Sequence, residues 1–383
     1  MPLSLTRLLW SRELDGPVLV NWGVITGERT NLVATSGTNL FLFSPSDDGY
    51  SLSAALDIGT EVLSLAVGLP GPALDNIVVG LEDRVAVYGS REGTLLLLAE
   101  TAPESGARYV DVALADIDND GREEVIAAAE GRNALYFYRQ TGQAPGEVRL
   151  DLLAIRALPG APQKVAVVMR SGDLLPLTAA AYSTDGSSGI ITLIFTERGF
   201  AEGPAQENLS ARVASLTAGN LRERLDEQLA WGGQDGFVRV VEVNQELNTV
   251  LTTDNLGSSV PALTAGRLVG DGFETLVAGT PEGYLFGFSA PVQSTSPDWA
   301  LQAGRSVNDL EVSSEGLLGL GTRDGWLQVW LLSGRGKSVH AVVPGDTLTS
   351  IARNYNTTME AIIELNSGLN PDLIFAGQYL AIP

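Results

Sequence analysis

The sequence predicts an all-β chain: a seven-bladed β-propeller whose ring is closed by an N-terminal strand, followed by a small α+β module of order strand, helix, helix, strand. Three observations predict it. Paired apolar runs flanking a tight turn recur along the first 335 residues at roughly 41 to 53 residues, the period of propeller blades and not of helical solenoids. The composition, with 43 Gly, 44% hydrophobic and only 18% charged residues, suits many short buried strands joined by turns; an average soluble protein is roughly a quarter charged. The last 46 residues then change to a helical period.

The elements follow in order. LTRLLWSREL (5–14) is a strand with no hairpin partner near it in sequence. The hairpins are NLVATSGTNLFLF (31–43), NIVVGLEDRVAVY (76–88), EVIAAAEGRNALYFY (124–138) and PLTAAAYSTDGSSGIITLIF (176–195), then QLAWGGQDGFVRVVEV (228–243), TLVAGTPEGYLFGF (275–288) and GLLGLGTRDGWLQVWLL (316–332). Gly37, Gly131, Asp235-Gly236, Glu282-Gly283 and Asp324-Gly325 supply the turns that tight hairpins demand. An apolar inner strand precedes each hairpin, from VLVNWGV (18–24) to VNDLEVS (307–313), and a fourth strand follows most of them, as in YSLSAALDI (50–58) and GTLLLLAET (93–101). Two places are irregular. AEGPAQENLS (201–210) is a poor outer strand, which leaves six or eight blades open, and nothing after 326–332 serves as an outer strand for the last unit. Residues 5–14 would fill that gap and hide two sheet edges. The domains are therefore expected at 1–332 for the propeller, 333–337 for a flexible linker and 338–383 for the module.

Charge and composition exclude several functions. Net charge is −22, of which the module carries −3 (Asp346, Glu360, Glu364, Asp372 against Arg353) and the larger part −19, so binding to a phosphate backbone is not expected. No apolar run reaches the length of a membrane span, and MPLSLTRLLWSREL lacks the apolar core of a signal peptide. As written, the chain reads as soluble and cytoplasmic, with the cell envelope or exterior requiring another export route or processing. The absence of Cys removes disulfides, thiolate metal sites and cysteine catalysis.

In the module, VHAVV meets the turn Pro344-Gly345-Asp346-Thr347. Leu348, Ile351, Ala352 and Tyr355 then fall at the spacing of a buried helical stripe. Thr358 caps a second helix with Met359, Ile362 and Ile363 on its apolar face, and QYLAIP closes as a strand. With PGDTL after the first strand and NPDLIFAGQYL before the last, this segment resembles a LysM domain. The resemblance implies a shallow groove for N-acetylglucosamine-containing glycan, peptidoglycan or chitin, formed by Gly345, Asp346, Thr347 and Leu348 on one side and Asn370, Pro371, Asp372, Leu373 and Ile374 on the other. Loop amides and the Asp and Thr side chains suit acetamido and hydroxyl groups, while Leu373 and Ile374 suit an acetyl methyl. The alternative is that Asp346 or Thr347 caps the helix and NPDL is a plain loop.

Between the first two strands of blade three lies Asp116-Ile117-Asp118-Asn119-Asp120-Gly121-Arg122-Glu123-Glu124. Carboxylates at Asp116, Asp118, Asp120 and Glu124, with the Arg122 carbonyl and a Gly for the sharp turn, are the oxygen ligands of a hard cation such as Ca²⁺. An EF-hand would need Glu at the twelfth position, where Ala127 stands, and helices where both flanks are strand-like. The loop instead resembles those of FG-GAP or VCBS repeats in integrin-like propellers, and its expected role is structural. RLVGDGFETL (267–276) is a divergent copy that keeps the Gly and loses most carboxylates.

No catalytic constellation emerges. GRGKS (334–338) lacks the first Gly of a phosphate-binding loop, that place being Leu331, and reads as linker. His340 is the only His, which excludes His-based triads and multi-His metal sites; it reads as a strand residue. Trp231, Trp326 and Trp330 read as blade-packing aromatics, an exposed pair of which could stack on sugar. The expected function is a non-enzymatic adaptor, an acidic propeller presenting a protein-binding surface, tethered to a glycan-binding module. Two alternatives stand beside it: a structural part of a multi-protein assembly in which the module docks protein, and, more remotely, a polysaccharide hydrolase.

Overall fold

A computed structural model describes residues 5–27, 29–68, 75–142, 147–171, 175–196, 199–222, 226–269, 273–333, 338–366, 369–376 and 379–383. Seven four-stranded antiparallel sheets form a ring, followed by one two-stranded sheet with two helices. Six blades run in plain chain order: 18–57, 62–100, 109–157, 161–206, 213–252 and 262–302. The seventh combines Val307–Val312, Leu317–Thr322 and Trp326–Ser333 with the N-terminal strand Leu5–Glu13 as its outer member. Leu5 faces Ser333 and Glu13 faces Trp326, with a bulge between Leu8 and Trp10. The ring is closed between the two ends of the propeller sequence, as the strand count predicted, and two edges that would otherwise be open are paired.

Alternation of apolar residues on both faces of the middle strands puts the core between blades. Seven clusters each join one blade to the next: Val33, Leu42, Ile77 and Val79 lie between blades one and two, and Ala128, Phe137, Val165 and Ala180 between three and four. Val20, Phe43, Val329 and Leu331 lie between blades one and seven, with Leu9, Trp10 and Leu14 packed against them. A ring with shared cores has no blade that is stable alone.

Blade four is complete, despite its poor outer strand. Gly199–Gln206 pairs with Ser188–Thr196 through a bulge between Ile191 and Leu193. Pro204 is tolerated because this strand is the blade's edge, where no ladder hydrogen bond is needed on one side, and its carbonyl accepts the Thr192 hydroxyl at 2.7 Å. The turn of blade three differs in detail from expectation. Glu130–Arg132 form a 3₁₀ turn, and the left-handed residue is Asn133 (φ 49°), not Gly131. Gly131 is needed for room, since a methyl there would lie 1.9 Å from the Gly106 carbonyl oxygen.

In the module, Ser338–Ala341 pairs with Tyr379–Ile382, and helices Leu348–Asn354 and Met359–Leu365 lie between them in sequence. Leu348, Ile351, Ala352 and Ile362 are buried together with Val342, Leu380 and Ile382. Tyr355 departs from the predicted stripe. It is 39% exposed, and its ring packs edge-on against His340 at 5.5 Å. Ser333, expected to open the linker at 333–337, instead ends the strand Trp326–Ser333; the rest of that linker (334–337) and residues 270–272 of the divergent loop lie outside the described residues. Among those described, no helix is long and apolar enough to cross a membrane.

Candidate functional site

The module's first loop is built by local hydrogen bonds. Thr347 is the N-cap of the first helix: its hydroxyl accepts the Ser350 amide at 3.1 Å, and the Ser350 hydroxyl accepts the Thr347 amide at 2.9 Å, a reciprocal capping box. Asp346 Oδ2 accepts the Val343 amide at 2.9 Å and lies 2.8 Å from His340 Nε2. Those two contacts, the Val343 amide foremost, hold its carboxyl below the usual carboxylate range. His340 Nδ1 is in turn 3.1 Å from the Tyr355 hydroxyl. His340 is therefore more than the plain strand residue its sequence context predicts: it ties the strand, the turn and the end of the first helix together.

The nine residues assigned to the groove fall into three groups. Gly345, Thr347, Asn370, Pro371, Asp372 and Leu373 are exposed, and Leu373 keeps 48% of its surface open. Asp346 and Ile374 are half-buried. Leu348 is buried, as its place on the helical stripe predicted: its side chain is 3% exposed and belongs to the module's core, which leaves its backbone for a ligand. Ile374 packs against that same core, so the second loop is anchored to the element that carries the first. Asn370 Oδ1 accepts the Asp372 amide at 3.0 Å and its carbonyl accepts the Leu373 amide at 3.2 Å, a turn that holds Leu373 outward.

In blade three, one oxygen each of Asp116, Asp118 and Asp120 lies within 4.8 Å of the others. Asp116 accepts the Asp120 and Gly121 amides at 3.0 and 2.8 Å, and Asp120 accepts the Arg122 amide at 2.9 Å. Asn119 (φ 58°) and Gly121 (φ 83°) take the left-handed turns that bring the three carboxylates to one side. These three fit a hard cation. Glu124 stands apart from them, fully buried, accepting the Ile117 amide at 3.2 Å with one oxygen and Arg139 Nε at 2.9 Å with the other. Burial pushes its pKa up to about 7, against the opposing hydrogen bond from Arg139. The Arg122 side chain is exposed.

The structure also assembles a site that no sequence spacing announced. A cavity of about 300 Å³ on the ring axis is lined by the inner strands, and Asp111, Lys164, Asp309 and Glu311 reach it from three blades. Lys164 Nζ lies 3.1 Å from Asp111, which raises its pKa above the usual lysine value. Asp309 and Asp111 each accept a backbone amide from the neighbouring blade, Val20 at 2.9 Å and Val165 at 2.8 Å. Burial lifts Asp309 to about 6. Burial, then the charge of Asp309, lifts Glu311 to about 8. These carboxylates stitch blades together at the cost of holding charge in a confined space.

The tryptophans pack blades. Trp231 is 1% exposed beneath the Arg239 guanidinium at 4.3 Å, Arg305 covers Trp326 at 4.2 Å, and the Trp330 indole donates to Gln328 at 2.9 Å. They form no exposed pair.

Comparison with known proteins places the two halves differently. The LysM domain family matches residues 340–383. Over 45 residues, 12% of this chain, the sequence is 44% identical to a protein named as the L,D-transpeptidase YkuD of Bacillus licheniformis. Over 48 residues, again 12%, it is 42% identical to Intracellular hyphae protein 1 of Colletotrichum lindemuthianum. These matches span only 27% and 21% of the two relatives. The propeller is similar in fold to BBS1N, crystallised in complex with ARL6DN, with a TM-score of 0.64 over 87% of this chain and 98% of that one at 12% identity. It is also similar to the WD40 β-propeller domain of Doa1, with a TM-score of 0.58 over 85% and 96% at 12% identity. At such identity the likeness is one of fold alone. Residues 340–383 are thus a LysM domain, carried behind a seven-bladed β-propeller.

Proposed function

We propose that this chain is a non-enzymatic binding protein, in which the LysM domain holds an N-acetylglucosamine-containing glycan and the acidic propeller presents a surface to a protein partner. The family match at 340–383 carries the glycan half. It is supported by the exposed face of the second loop, where Pro371, Asp372 and Leu373 stand out from a turn fixed by Asn370. Leu373 supplies an apolar contact for an acetyl methyl, and the loop amides and Thr347 hydroxyl supply donors for the acetamido and hydroxyl groups. Both folds are binding folds, and propellers offer broad surfaces on rigid blades. Within the propeller, Asp116, Asp118 and Asp120 are proposed as ligands of a structural calcium ion, whose larger radius tolerates the several flexible oxygens of such a turn.

The test is sedimentation of the full chain with insoluble chitin and with purified peptidoglycan, beside a chain ending at residue 333. The full chain should co-sediment with at least one polymer and the truncated chain with neither. Equal sedimentation of the two would place any binding outside the LysM domain, and no sedimentation of either would remove the glycan reading and favour docking to protein.

A further inference from the structure

The Arg139 guanidinium lies among three carboxylates of blade three. Its Nε donates to Glu124 at 2.9 Å, one Nη donates to Asp118, and that nitrogen lies 3.9 Å from Asp120. A fully buried glutamate beside two aspartates is costly to hold unless a cation is supplied. Here the cation is part of the chain.

Other blades show that this charge pair is not required by the architecture. Where the second strand opens, Glu124 faces Arg139 in blade three, but Leu177 faces Ile194 in blade four, Thr275 faces Ser289 in blade six and Leu317 faces Leu331 in blade seven. In blade one the same place is Asn31, whose side-chain oxygen accepts the Ile25 and Thr26 amides at 3.0 and 3.1 Å. A neutral acceptor therefore suffices to cap the loop after the inner strand. Among these blades, the ion pair occurs in the one whose loop holds three aspartates, and it touches two of them.

We propose that Arg139 is the resident cation of this loop: it holds Asp118 and Glu124 in place without a metal, and calcium reaches the aspartates only in competition with the guanidinium. The competition rests on the calcium proposal; the bridging role does not. Asp118 cannot give its full charge to both cations, so the loop stays formed in the absence of metal and binds calcium more weakly than its spacing suggests.

The experiment compares the full chain with Arg139→Gln, Asp118→Asn and the double variant, by thermal melting in chelator and by calorimetric titration with calcium chloride. Gln keeps a donor for Glu124 and removes the charge. Arg139→Gln should melt about 3–6 °C lower in chelator, and adding Asp118→Asn should recover much of that loss by removing the uncompensated carboxylate. Calcium should bind Arg139→Gln at least about tenfold more tightly than the unaltered chain, because its competitor is gone. Should Arg139→Gln fail to fold, recovery of a folded double variant carries the bridging role. The proposal is overturned if Arg139→Gln melts like the unaltered chain, if the double variant is no better than the single one, or if calcium binds both proteins equally tightly. If the double variant recovers while calcium binds neither protein, the bridging role stands and the calcium proposal falls.

Discussion

Trp10 should be the residue through which the N-terminal strand locks the ring. The strand crosses to the far end of the propeller sequence and pairs with Trp326–Ser333, and its bulge between Leu8 and Trp10 turns these two residues to different surroundings. Trp10 stands edge-on to Phe43 at 5.2 Å and to Tyr50 at 5.8 Å, and it packs against the cluster shared by blades one and seven. Leu8 is 40% exposed. Removing a fully buried aromatic side chain costs about 3–5 kcal/mol. Trp10 is half-buried, which halves that figure, but it also loses two aromatic pairs of about 0.5–1.5 kcal/mol each. Trp10→Ala should therefore cost roughly 2.5–5.5 kcal/mol, and Leu8→Ala under about 1 kcal/mol, as expected of a surface site. In a thermal melt followed by near-ultraviolet circular dichroism, the first variant should lose several degrees and the second almost none. Deleting residues 1–14 exposes the whole edge of Trp326–Ser333 and should give an aggregating protein. Equal melting of the two point variants, or a monomeric deletion protein with an unchanged melting temperature, would falsify the closure as a source of stability.

The remaining predictions concern the channel and the LysM domain. Asp309 and Glu311, at about 6 and about 8 against ordinary values of 3.8 and 4.5, bind protons more tightly folded than unfolded. Their contribution is thus fully present below about pH 4 and is lost as pH rises through 6 and then 8. At about 1.4 kcal/mol per tenfold change in proton affinity, Glu311 sets a ceiling of roughly 4–5 kcal/mol on that loss, so Glu311→Gln should flatten the fall in denaturation midpoint between pH 5 and 9; an unchanged slope would refute the assignment. In the LysM domain, Asp346→Ala should lower the melting temperature of the domain, because it frees the Val343 amide and His340 together. Leu373→Ala should leave that temperature unchanged and weaken retention on chitin or peptidoglycan, and the opposite pattern would exchange the roles of the two loops.

The ring was legible because its signals are local and repeated. Hairpin turns such as Asp235-Gly236 and Asp324-Gly325 mark the middle strands, with Gly236 and Gly325 at positive φ, and alternation marks which face each strand buries. The closure followed from counting, since an N-terminal strand without a partner and a last hairpin without an outer strand have one economical solution. Blade four was obscure for a physical reason. Its outer strand lies at an edge, where backbone pairing on one side is enough and Gly203 and Pro204 carry no penalty that a central strand would impose. Tyr355 shows the limit of periodicity in the LysM domain: the spacing placed it on the buried stripe, but seven residues of helix end before it, and its hydroxyl is drawn to His340 at the surface.

The sites were legible only as far as their residues are neighbours in sequence. The three aspartates of blade three converge within one turn, and their spacing alone announces it. Arg139 lies 15 positions beyond Glu124 on the next strand, and only the antiparallel register brings the two face to face. No spacing rule for oxygen ligands looks there. The channel is further from sequence still, because Asp111, Lys164 and Asp309 belong to three blades: the first two pair across adjacent blades, and Asp309 of the last blade faces them across the closed ring. Val20 in blade one and Asp309 in blade seven make the point: their hydrogen bond spans 289 positions, and it exists because the N-terminal strand completes the seventh blade. The charge inside the channel is therefore a product of closure, and the same event that hides the edge strands also fixes the pKa of Asp309 and Glu311. Stability measured against pH and stability measured after Trp10→Ala should consequently be coupled: a ring loosened at its seam admits water to these carboxylates, and Trp10→Ala should shrink the pH slope as well as lower the midpoint. If the slope is unchanged in Trp10→Ala, the channel charges are desolvated independently of the closing strand, and the seam is energetically separate from the axis of the ring.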